Sequence, residues 1–148
     1  MKVYTGDKSG AGTDANVFMT MYGRNGDSGE RELRKSDNLN KFERNEIDTF
    51  KVKAVELGDL EKIKIGHDNS AAGSAWYLEK VEIYNPNTKR TYLFNCQNWL
   101  AKNEGDGKIT RELVAIDPDM LKRVKFRPGA RELKDQILLE TEGNYFNI

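Results

Sequence analysis

Short runs in which apolar and polar residues alternate, each closed by a polar turn, leave this chain few architectures to adopt. In residues 15–23, Val17, Met19 and Met21 fall on one face and Phe18, Thr20 and Tyr22 on the other. That period of two is the signature of a strand with at least one buried side. Residues 48–55 repeat it, with Phe50, Val52 and Ala54 set against Thr49, Lys51 and Lys53, and residues 60–67 carry Ile63 and Ile65 between charged neighbours. Val3-Tyr4-Thr5 and residues 30–35, 76–84, 90–95 and 109–115 read as further strands. Turn-forming clusters separate them: Asn25-Gly26-Asp27, Gly58-Asp59, Asn85-Pro86-Asn87 and Gly105-Asp106-Gly107. Strands this short and regularly punctuated, with no helical segment between them, predict an all-β antiparallel sandwich or barrel and argue against a parallel α/β sheet.

The 148 residues suffice for one domain with a real core. We assign residues 1–116 to the β-domain and residues 117–148 to a C-terminal extension or linker. In that extension Leu133, Ile137 and Leu138 stand at helical spacing, and residues 118–124 suit a turn or two of helix. The strand that starts almost at once, at Val3, reads as a chain cut from something longer. Lys and Arg number 24 and so do Asp and Glu, so no global field draws in nucleic acid, and any electrostatic partner must meet a local patch. Cys96 is the only cysteine, which rules out an intrachain disulfide and favours a cytoplasmic setting. No apolar run reaches the roughly 20 residues of a membrane-spanning helix, so membrane contact would be peripheral.

Catalytic constellations are hard to assemble. His67 is the only histidine, with no nucleophile elbow and no second imidazole to build on, and it reads as a structural residue at a strand end. Cys96, Trp76 and Trp99 read as packing residues. Setting Gly107 at the sixth position of a calcium-binding helix-loop-helix puts Lys102 first and Leu113 twelfth, where carboxylates are required, so residues 106–113 are a turn into a strand. The basic run 122–127 reads as a solvated face. The glycines at 6, 10 and 12 lead into a strand, whereas a phosphate loop leads into a helix. Hard cations offer a better use for such loops. They need about six to eight oxygens, and Asp14, Asn40, Glu43, Asp48, Asp68 and Asn69 supply them from turns beside strand ends, although each alone is an ordinary turn former.

A set of ordered matches sharpens this. Gly6-Asp7, Ala11-Gly12-Thr13-Asp14-Ala15-Asn16-Val17, Tyr22-Gly23, Gly26-Asp27-Ser28-Gly29-Glu30-Arg31, Lys41-Phe42-Glu43-Arg44, Asp48-Thr49-Phe50, His67-Asp68-Asn69, Trp76-Tyr77-Leu78, Phe94-Asn95-Cys96 and Trp99-Leu100 resemble the PLAT, or lipoxygenase-homology, domain. The resemblance runs from about Val3 to Leu113 and is strongest to members that occur as tandem repeats, so neighbouring repeats of a parent protein are expected partners. It implies a sandwich of two four-stranded sheets and a non-catalytic module that binds Ca2+ at one end to engage membrane lipid headgroups or a protein. Carried over by position, the implied calcium residues are Gly12 through its carbonyl, Asp14, Asn40, Glu43, Asp48 and Asp68. Lys41, Asn45 and the Ser74-Ala75 pair depart from the family pattern, which implies fewer or weaker ions. The loops 8–13, 24–30 and 70–75 carry no aromatic residue, which favours a protein partner over deep membrane insertion.

Overall fold

The structure, a computed structural model, describes residues 1–116; the helical turns expected at 118–124 and 130–141 lie outside them. Two antiparallel sheets face each other, with no helix among the described residues. The strands are β1 (Lys2–Thr5), β2 (Val17–Gly23), β3 (Gly26–Asp27), β4 (Arg31–Glu32), β5 (Ile47–Thr49), β6 (Leu60–His67), β7 (Trp76–Asn85), β8 (Arg90–Leu100) and β9 (Thr110–Val114). One sheet runs β5-β1-β7-β8, and the other runs β3-β2-β6-β9 with β4 also paired to β2. The predicted sandwich is therefore present, and the strand by which the second sheet exceeds four has a local cause. Strands β3 and β4 occupy the same edge of β2, one against Tyr22-Gly23 and the other against Phe18-Met19. Ser28 bridges the break between them: its N–H donates to the Met21 carbonyl at 2.9 Å while its Oγ accepts from the Met21 N–H at 2.9 Å.

Alternation decides which residues face inward. Val17, Met19 and Met21 are buried from β2, and Ile63 and Ile65 from β6, as the sequence predicts. Val3, Leu78, Val81 and Phe94 close the core from the opposing sheet. Trp76 and Cys96 are fully buried, whereas Trp99 stays half-buried and packs edge-on against Tyr77 at 5.3 Å.

Residues 48–55 correct the sequence expectation. Strand order stops at Thr49, because β5 is an edge strand whose only ladder partner is β1. After Phe50, which exchanges backbone bonds with Met1, the chain has no ladder partner among the described residues, and residues 51–58 cross between the sheets with the Asn25 N–H donating to the Leu57 carbonyl at 2.9 Å. Residues 30–35 likewise keep only two residues of strand, while β8 runs on to Leu100, beyond the expected end at Asn95.

The two ends of the sandwich differ. Residues 6–16, 33–46, 68–75 and 101–109 gather at one end, the loop pole; the turns at 24–25 and 86–89 and the crossing segment 50–58 form the other.

Candidate functional site

At the loop pole, segments far apart in sequence are fastened together by backbone bonds. The Thr13 N–H donates to the Phe42 carbonyl at 3.0 Å, and the Asn45 N–H donates to the Gly6 carbonyl at 3.1 Å. Thr13 Oγ1 donates to the Ser74 carbonyl at 2.8 Å and so draws in the 68–75 loop. Gly12 lies against the 42–44 turn so closely that a Cβ there would sit 2.9 Å from the Phe42 carbonyl oxygen and 3.2 Å from the Arg44 nitrogen. Any larger residue would push the two loops apart.

The second loop is wound around one carboxylate. Asp48 is fully buried; its Oδ1 accepts from Ser36 Oγ at 2.7 Å and from Asn38 Nδ2 at 3.3 Å, and its Oδ2 accepts from the Phe42 N–H at 2.9 Å. Phe42 has a φ of 59°, a left-handed conformation that an aromatic residue adopts only when its surroundings compel it. Here the compulsion is visible: its side chain is buried between Phe50, stacked at 5.7 Å, and Trp76, edge-on at 5.2 Å, while its amide is fixed by Asp48 and its carbonyl by Thr13. Strain of this kind gathers where a loop must hold a set shape for a ligand.

Of the six residues carried over as calcium ligands, the structure brings Gly12, Asp14 and Glu43 onto the fastened pair of loops and sets Asn40 on the same Asp48-centred loop. The side chains of Asp14, Asn40 and Glu43 make no hydrogen bond or ion pair with other described residues, and Asp14 and Asn40 are exposed. Asp48 and Asp68 stand differently from the ligand expectation. Both Asp48 oxygens are already taken by protein donors. Asp68 joins the next loop instead: its Oδ2 accepts from Asn16 Nδ2 at 2.9 Å, and its Oδ1 accepts from the Ser70 N–H at 3.1 Å and the Asn16 N–H at 3.2 Å. Ser70 first, and Asn16 next, hold its pKa down to about 2. Among the described residues no three His, Cys, Asp or Glu side chains form a ready metal cluster. The donors left without partners on these loops, two carboxylates and an amide, together with loop carbonyls, are the hard oxygens that suit Ca2+ in chemistry, with water needed to complete six to eight contacts.

His67 supports the same pole from beneath. It is buried, its Nδ1 accepts from the Asn69 N–H at 3.0 Å, and its Nε2–H therefore faces the Leu100 carbonyl at 2.7 Å. This accounts for the histidine as a structural residue.

One feature of the pole escaped the sequence. Leu39, next to Asn40, is as exposed as in a free peptide at 102%, and Ile47 is 46% exposed nearby. A search for aromatic tips passes over an aliphatic one, and only the outward turn of a loop pinned at Ser36, Asn38 and Phe42 reveals it. Two basic residues follow the tip in sequence: Lys41 reaches the Leu33 carbonyl at 3.4 Å, and Arg44 pairs with Asp7 at 2.8 Å.

A family model described as PLAT/LH2 domain matches residues 1–114. Human lipoxygenase homology domain-containing protein 1 is 49% identical over 112 residues, which is 75% of this chain and 5% of that protein. The chain thus spans about a twentieth of that relative's length. Among solved structures, a coral 8R-lipoxygenase described as calcium-activated through a C2-like domain superposes with a TM-score of 0.64 at 22% identity, covering 84% of this chain and 20% of that one. A calcium-dependent 11R-lipoxygenase gives 0.57 at 28% identity, covering 77% of this chain and 16% of that one.

Proposed function

The chain belongs to the PLAT/LH2 family, and from that premise we propose that it is a non-catalytic recognition module whose loop pole takes up Ca2+ and then docks on anionic lipid headgroups. The observation that carries this is the trio Asp14, Asn40 and Glu43: three oxygen-bearing side chains without partners among the described residues, on loops that backbone bonds and the Asp48 and Asp68 carboxylates tie in place. Together with the Gly12 carbonyl they would hold the ion, while Asp48 fixes the shape of one loop and Asp68 anchors its neighbour. Calcium supplies positive charge where carboxylates would otherwise repel an anionic surface, and its unfilled coordination positions bind phosphate oxygens. Leu39 supports a membrane over a purely polar partner, since a bare aliphatic side chain beside such a site gains by entering the lipid interface. A peripheral, cytoplasmic position goes with this reading, as one repeat of a larger protein.

The test is a thermal melt in EDTA and in calcium, with co-sedimentation on phosphatidylserine vesicles in both. Selective binding to the folded state is worth about 2.7 kcal/mol at a hundredfold excess over Kd, a rise of several degrees in Tm. No shift at millimolar calcium, with equal pelleting in EDTA, sinks the proposal.

A second reading, a calcium-independent protein-binding repeat, draws on the completeness of the loops' own bonding. Asp48 already holds its own loop in shape and Asp68 joins two loops, work that a bound ion could otherwise do. Under that reading the melt is blind to calcium and a partner binds equally well in EDTA.

A further inference from the structure

We propose that the pole opposite the loops carries a second binding site, a cleft for the single chain of a long-chain fatty acid with its carboxylate held at the rim by Lys51 and Lys53. The sheets do not close on each other there. A cavity of about 570 Å³ opens between them, within the roughly 300–1,000 Å³ typical of small-molecule sites. Met21 and Leu60 line it from one sheet, Ile83 from the other, and Phe50, Val52 and Leu57 from the crossing segment. The cause lies in that segment. Without a ladder partner it stands off as a wall instead of filling the gap with a continued strand.

The segment's alternation sets the chemistry of the mouth. Val52 turns partly inward while Lys51 and Lys53 stand exposed at the rim, and neither lysine has an ion-pair or hydrogen-bond partner among the described residues. Of the nearby acids, Glu56 lies on the same segment and accepts from the Gly58 N–H at 3.2 Å, while Asp59 is held away by Tyr92 at 2.8 Å and Arg90 at 3.1 Å. An apolar cleft with two lysines against one glutamate at its lip matches a ligand with one apolar chain and one anionic head. Val55, 77% exposed, and Tyr84, 52% exposed, flank the same mouth, and a methylene chain would cover them. A neutral lipid leaves the lysines unpaired, and a two-chain phospholipid exceeds the space. This inference stands apart from the calcium site, at the other end of the sandwich.

Titration of the full chain with palmitate, read by displacement of a fluorescent polyene fatty acid, tests it. EDTA throughout keeps calcium soaps and the loop pole out of the measurement. We expect saturable binding of one equivalent. The K51E/K53E double variant, altered only at exposed side chains, should bind palmitate roughly three- to thirtyfold more weakly, as two exposed ion pairs allow, and bind hexadecanol unchanged. Val52→Trp, which fills the cleft from its wall, should lose both ligands; if that variant fails to fold, the lysine pair decides alone. Absence of saturable palmitate binding overturns the proposal. So does palmitate binding that K51E/K53E leaves unchanged.

Discussion

Two aspartates carried over to one expected site stand in opposite surroundings, and single substitutions should tell them apart. Asp48 is buried and accepts from three donors, so Asp48→Ala strands the Phe42 amide and removes one bond each from Ser36 and Asn38 beneath a strained loop. A loss of about 2–4 kcal/mol is expected in urea unfolding in EDTA. Asp14 is exposed and bonded to nothing described, so Asp14→Asn should change stability in EDTA by less than about 0.5 kcal/mol, yet abolish the calcium shift in Tm. The reverse pattern, a mild Asp48→Ala and a costly Asp14→Asn, would mean the roles are exchanged. Asp68 adds a pH dependence with a definite sign. Its pKa falls from 3.8 to about 2, so the stability it contributes is complete above pH 3.8 and disappears as pH drops through about 2. Its carboxyl resonance should titrate near pH 2, and Asn16→Ala should move that midpoint upward. A midpoint near 4 in the native protein contradicts the Asn16 and Ser70 bonds.

At the level of elements, the sequence discloses what alternation encodes and misses what partners decide. β2 and β6 were legible because Val17, Met19, Met21, Ile63 and Ile65 must all reach one core. Residues 51–55 carry an equally good strand pattern, but a strand also needs a neighbour in the ladder, and no local pattern records whether one exists. The broken edge beside β2 is another such case: Ser28 looks like a loop serine, yet its amide and hydroxyl stand in the ladder opposite Met21. Ser28→Ala removes the acceptor for a buried amide and should cost about 1–2 kcal/mol, with faster hydrogen exchange at the Met21 amide. Protection unchanged at Met21 would show that the hydroxyl is dispensable and that β3 and β4 hold the edge without it. The candidate site was legible to the same degree. Family motif order named residues that fall at one pole, while which carboxylates were free there, and the outward turn of Leu39, depended on hydrogen bonds that spacing does not encode.

Across the whole molecule, the proposed loading of the loop pole requires no repacking of the core, which is closed at Trp76, Phe42 and Phe94. Calcium and membrane should then be coupled through the pole alone, and coupling between two ligands is reciprocal. If calcium raises the affinity for phosphatidylserine vesicles by some factor, vesicles must raise the affinity for calcium by the same factor. Leu39→Asp offers a cut through this linkage. The side chain is wholly exposed, so the change should leave Tm in EDTA within about 1 °C, and leave calcium binding without vesicles intact. Membrane affinity should fall, since an aliphatic contact with the interface is replaced by a charge that an anionic leaflet repels. The gain in calcium affinity on adding vesicles should shrink in step. Calcium titrations with and without vesicles, on both proteins, measure all four corners of the cycle. Equal vesicle binding by Leu39→Asp and the native protein would mean that the loop pole meets lipid through the ion alone, or does not meet it.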